Sequence, residues 1–132
     1  MVITEAQKIL DAHLLPHGVT SHHLKRVEVD RIRDREVAVS SDEYVVYRLV
    51  SARRGAFGDG KAGIVRQTLD VHYYHRGLSR GLVQTRVQGI LGAFLADRRF
   101  HLVNGPFDLY ESDSAYTGVG IELSFLEVTH GA

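Results

Sequence analysis

Two runs rich in β-branched and aromatic residues, YVVYRLVS at residues 44–51 and IVRQTLDVHYYH at residues 64–75, stand on either side of the glycine-rich stretch GAFGDGKAG at residues 55–63. Side chains alternate between the two faces of a strand, and in the second run Val65, Leu69, Val71 and Tyr73 fall on one face, opposite Arg66, Thr68, Asp70 and His72. Paired runs of this kind around a glycine loop predict a β-hairpin. Val65, Leu69 and Tyr73 also carry helical spacing, so the strand reading rests on the β-branched and aromatic content as well as on the alternation.

Whether that loop holds a phosphate depends on the element on its C-terminal side. Gly55, Gly60 and Lys61 have the spacing of a P-loop, with Ala62 where Ser or Thr would coordinate Mg²⁺, while Gly58, Gly60 and Gly63 have the dinucleotide spacing G-x-G-x-x-G. Both motifs work by aiming the positive end of a helix at the phosphates. A strand after Lys61 removes that helix, so the stretch is read as a hairpin tip and no cofactor is assigned. The tip is still rich in contact chemistry: Arg53, Arg54, Phe57, Asp59 and Lys61 suit docking on a neighbouring subunit or another partner, because long loops are often functional and an aromatic ring in solvent gains nothing.

The rest of the chain supplies helices and further strands. Ile3, Ala6, Ile9, Leu10 and Leu14 recur at helical spacing until Pro16 and Gly18. Residues 24–39 are charge-rich, and Val27, Val29 and Ile32 fit a short strand. Leu82 to Arg99 predicts a second helix with an apolar stripe of Val83, Val87, Ile90, Leu91, Phe94 and Leu95, and Ser79 is placed to cap it. Beyond it come a strand from Phe100 to Val103, a turn at Asn104-Gly105-Pro106, and a last strand in which Val119, Ile121, Leu123 and Phe125 alternate with Gly120, Glu122 and Ser124. The expected fold is α+β, a single domain over residues 1–132, with two main helices packed on one face of a mostly antiparallel sheet.

Composition narrows the function classes. Sixteen basic and sixteen acidic residues cancel, which argues against sequence-specific nucleic-acid binding, and no run approaches the roughly 20 apolar residues of a membrane span. There is no cysteine to act as a nucleophile or to form disulfides, and no G-x-S-x-G elbow. The eight histidines (His13, His17, His22, His23, His72, His75, His101 and His130) form no metal-binding motif and are read as scattered over the surface; His72 and His75 would point to opposite faces of a strand, and Pro16 interrupts His13 and His17. Ser40-Ser41-Asp42-Glu43 and Ser112-Asp113-Ser114 read as turn and cap chemistry, with Asp42 and Glu43 as solvated charges beside a strand. No metal and no catalytic residue is assigned. The segment holding Arg26, Glu28, Asp30 and Arg31 is charge-balanced and exposed, or else a protein-binding edge between subunits.

The order of elements from Glu43 onward, about two thirds of the chain, resembles one family. A strand YVVYRLVS leads to a loop FGDGKAG, a strand VRQTLDVHYYH, a long helix LVQTRVQGILGAFLADRRFHL, and then FDLYESDSAYTGVGIELSF. This is similar to the tail-completion and tail-terminator (head-tail joining) proteins of long-tailed bacteriophages and prophages. The resemblance implies a non-enzymatic virion protein that assembles as a homo-oligomeric ring, commonly a hexamer, on the end of the tail tube. Such a ring stops tube growth, meets the head-completion or connector protein, and lets DNA pass. It is assembled in the host cytoplasm and ends at the head-tail junction. The long central loop, Arg53 to Lys61, then becomes a docking element. A head-completion ring is the alternative in the same setting; a nucleotide or small-molecule module built on Gly55 to Gly63 is the alternative outside it.

Overall fold

The computed structural model describes residues 2–24, 29–32, 35–38, 42–57, 62–109 and 116–130, with the backbone alone described at 29–32, 35–38, 53–57, 62–64 and 128–130. Helix α1 (Val2–Leu14) buries Val2, Ala6, Leu10 and Leu14, one residue per turn along a single stripe. Its stop is local: Leu15–His17 forms a 3₁₀ turn over Pro16, and Gly18 closes it at φ 74°, donating its N–H to Leu15 O at 2.9 Å. That left-handed conformation favours glycine.

Strands β1 (Thr20–His23), β4 (Glu43–Phe57), β5 (Ala62–His75), β6 (Phe100–Leu109) and β7 (Thr117–His130) make a five-stranded sheet in the order β1-β4-β5-β7-β6, and β2 (Val29–Ile32) with β3 (Arg35–Ala38) forms a separate two-stranded antiparallel sheet. Among the described strands of this sheet, β1 alone is parallel to its neighbour. Helices α1 and α2 (Arg80–Leu95) pack against this sheet, so the α+β expectation holds. One sheet face carries the core: Val45, Tyr47, Leu69, Val71, Tyr73, Ile121, Leu123 and Phe125 are buried against Leu10, Leu14, Val87, Ile90 and Phe94 of the helices. The alternation of Leu69, Val71 and Tyr73 therefore marks the real core face, with Gln67 buried beside them.

Ser79 does cap α2, its Oγ accepting the Leu82 N–H at 3.2 Å. Three expectations need correction. Helix α2 stops at Leu95 and not at Arg99, because Asp97 Oδ1 accepts the backbone N–H of Arg99 and Phe100 N donates to Asp97 O, both at 3.0 Å, which turns the chain into β6. Leu95, the last residue of α2, is 44% exposed and leaves the core stripe. The turn expected at Asn104-Gly105-Pro106 is instead the middle of one continuous edge strand. There the pairing with β7 shifts between Leu102 and Asn104 and again between Asn104 and Phe107, and an edge strand can absorb both a bulge and a proline. Strand β1 has no counterpart in the sequence reading: TSHH has no apolar alternation, yet it lies along Tyr44–Tyr47.

Candidate functional site

The glycine stretch lies mostly inside the hairpin. Strand β4 runs on through Gly55 and Ala56 to Phe57, β5 begins at Ala62, and Phe57 pairs with Ala62. A strand comes directly after Lys61, so the helix start that either phosphate motif needs is not there. Among the residues expected to dock, Arg53, Arg54 and Phe57 belong to β4; Asp59 and Lys61 lie outside the described residues. Of the second set, Asp30 and Arg31 sit in β2 opposite Val37 and Glu36, and Arg26 and Glu28 lie outside the described residues, as do Ser40, Ser41 and Ser112-Asp113-Ser114.

At the other end of the hairpin is a polar cluster that sequence reasoning missed. Glu43 opens β4 opposite His75, and its side chain is only 11% exposed. This corrects the reading of Asp42 and Glu43 as two solvated carboxylates: Asp42 is exposed and 3.6 Å from Arg76, but Glu43 Oε1 accepts from Arg86 Nε at 2.8 Å and from Tyr73 Oη at 2.7 Å. Arg86 Nη2 reaches Glu43 Oε2 at 3.4 Å, so α2 is tied to the sheet by a two-pronged, largely buried ion pair. Burial alone would raise the Glu43 carboxyl, but the hydrogen bonds from Arg86 and Tyr73 outweigh it and hold its pKa below the ordinary value. Burial raises the Tyr73 phenol, and the neighbouring Glu43 raises it further. The hydrogen bond to Glu43 raises Arg86. The three groups stay locked as carboxylate, phenol and guanidinium near neutral pH, which is a structural clamp and not a poised acid and base.

Histidines flank the clamp. His13 and His17 lie at the end of α1 with ring centroids 6.2 Å apart, and the His13 ring packs so closely on α2 that a Cβ at Gly89 would come within 2.6 Å of its Nε2. Burial lowers the His13 pKa, and the positive charges of His17 and Arg86 lower it further. Burial also lowers His75, although Glu43 opposes it. With folded-state pKa values below the unfolded one, the folded protein binds fewer protons than the unfolded chain, so stability is full at neutral pH and falls as the pH drops through the ordinary histidine value of about 6.5. Urea midpoints should fall between about pH 7.5 and about pH 5.5, and His13→Gln should flatten part of that slope.

The open face of the sheet carries aromatic groups in neighbouring rows. Tyr44 stacks on Tyr74 at 5.0 Å and meets Tyr116 edge-on at 5.0 Å, while Arg76 lies 4.9 Å over the Tyr116 ring. Gly118 and Gly120 make room beside them: a Cβ at Gly120 would sit 2.5 Å from Phe107 Cε2, and one at Gly118 2.8 Å from Leu109 Cδ1. The expectation of surface histidines also needs correction at His22, which is 4% exposed and 2.9 Å from Thr20 Oγ1. His72 and His75 do face opposite ways, His72 meeting Tyr74 and His75 stacking on Tyr73. Among the described residues no three of His, Asp and Glu gather as a metal site would need, and no helix is long and apolar enough to cross a membrane.

Among the described residues, two surface grooves accompany these features. One, of about 300 Å³, is lined by Ser51, Arg66, Thr68, Val103 and Ser124; the other, of about 260 Å³, lies between α2 and β6 and includes Val83, Val87, Pro106 and Val119. Both sit at or below the low end of the volumes typical of ligand pockets. Compared with models of known protein families and with curated protein sequences, the chain matches neither.

Proposed function

We propose that the chain is a structural subunit of the virion of a long-tailed phage or prophage: a tail-terminator or tail-completion protein that forms a ring, six copies being the expected number, on the end of the tail tube. In this reading it stops tube growth, joins the tail to the head-completion or connector protein, and performs no catalysis. It assembles in the host cytoplasm and resides at the head-tail junction. The observation that carries the reading is the long β4–β5 hairpin, with β7 alongside, on an α+β body whose elements have the order that resembles this family. Arg53, Arg54, Phe57, Asp59 and Lys61 then serve at the docking end of the hairpin, and Arg26, Glu28, Asp30 and Arg31 at a contact between subunits. The charge balance of the chain limits repulsion among copies crowded into a ring.

A nucleotide-binding module on Gly55 to Gly63 is the reading from a different class, and the strand at Ala62–His75 weighs against it. Thermal unfolding with ATP, GTP, Mg²⁺ and Zn²⁺ separates the two. The ring reading expects an unchanged Tm in each case. A rise in Tm with a nucleotide, lost in Lys61→Ala, would replace it with a ligand-binding role.

A further inference from the structure

Past the reach of β1 and β6 the sheet narrows to three strands. Strand β1 lies along β4 only from Tyr44 to Tyr47, and β6 lies along β7 only as far as Phe125. Beyond them Leu126 N donates to Arg99 O, and four rows extend the sheet: Arg54–Val65–Glu127, Gly55–Ile64–Val128, Ala56–Gly63–Thr129 and Phe57–Ala62–His130. Over these rows the outer edges of β4 and β7 have no strand beside them among the described residues. Each unpaired edge is a row of main-chain donors and acceptors, ready to accept another strand. The edge strand β6, by contrast, is protected by Pro106 and by two irregularities in its pairing. The arm has neither device: RGAF at 54–57 and EVTH at 127–130 contain no proline, and both pair with β5 in unbroken register.

We propose that the β4 edge of this arm pairs with the β7 edge of the arm of a second copy of the chain. Within these four rows the two edges stand at the same level of the sheet; the open β4 edge also runs back to Arg48, past the end of β1, while that of β7 starts beyond Phe125. Both β4 and β7 run antiparallel to β5, so they run in the same direction, and head-to-tail repetition makes the new pair parallel, as β1 and β4 already are. The contact joins one patch to a different one, the heterologous kind that generates rings. Width favours closure. At a strand spacing of about 4.8 Å, the five-stranded body is about 24 Å wide and the three-stranded arm about 14 Å. Paired arms therefore converge while the bodies, with β1 of one copy and β6 of the next between them, splay outward. The pairing deepens the ring reading and rests on it for closure.

The absence of native cysteine makes the test direct. Residues 54 and 127 of one copy lie two strand spacings apart, about 10 Å. That is beyond the Cα separation of about 7 Å that a disulfide tolerates. In the double variant Arg54→Cys/Glu127→Cys, oxidation should move most of the protein into a ladder above the dimer on a non-reducing gel, while each single variant stays monomeric. Ala56→Cys/Thr129→Cys repeats the test two rows further out and covers the case in which the first pair disturbs folding, which circular dichroism reports. A dimer from Arg54→Cys alone would mean that two β4 edges meet and would overturn the proposal. A discrete oligomer of the unmodified protein with no cross-link in either double variant overturns the arm pairing and leaves the ring reading standing. A monomer with no cross-link overturns both.

Discussion

Arg86→Met should destabilise the protein by about 3–5 kcal/mol, the usual cost of removing one partner of a buried ion pair. Both side chains of the pair are nearly out of solvent, at 12% for Arg86 and 11% for Glu43, so the abandoned carboxylate has little water to turn to. Tyr73 Oη would still donate to it, which is too little to compensate a charge. Adding Glu43→Gln should recover much of the loss, since the amide oxygen can keep the Tyr73 bond without a charge to bury. Urea unfolding of the two single variants and the double variant gives the coupling, which should be well above the roughly 0.5 kcal/mol expected of sites that do not interact. Two single effects that simply add up in the double variant would mean that the pair does not hold α2 on the sheet.

Phe100→Ala should cost a similar amount, about 3–5 kcal/mol. The ring is 2% exposed and lies between Phe94 of α2 at 5.0 Å and Phe125 of β7 at 4.7 Å, so it fastens the second helix to the far edge of the sheet. Its neighbour in the strand, Leu102, is 40% exposed, and Leu102→Ala should stay within about 0.5 kcal/mol of the parent. A loss of less than about 1 kcal/mol for Phe100→Ala would contradict the placing of its ring in the core.

These two sites differ in how far the sequence reveals them. Phe94 and Phe125 sit in apolar patterns that fix their faces, Phe100 opens a strand that the sequence predicts, and the hairpin around Gly55 to Gly63 is readable because β-branched and aromatic residues flank it on both sides. Glu43 offers no such signal. A carboxylate beside Asp42 at the start of a strand reads as solvated, and its burial depends on Arg86, a residue 43 positions away on a helix. The one hint is that Tyr73 and Arg86 lie next to apolar stripes, where a buried hydroxyl and guanidinium need partners. Strand β1 is hidden for a related reason. His22 and Thr20 satisfy each other as buried polar groups, so TSHH forms a strand without the apolar alternation that marks one. At Asn104-Gly105-Pro106 the local turn chemistry is real, but the pairing of β6 with β7 on both sides of it overrides the turn.

The arm is the link between this fold and the role proposed for it, and that role stands or falls with a closed ring. Native mass spectrometry of the unmodified protein from micromolar concentration upward, with negative-stain imaging of any large species, decides the matter. The ring reading predicts a discrete closed oligomer, six copies of a 14.7 kDa chain, with a central opening. A protein that stays monomeric at every concentration, or that binds a nucleotide as a monomer, would contradict it.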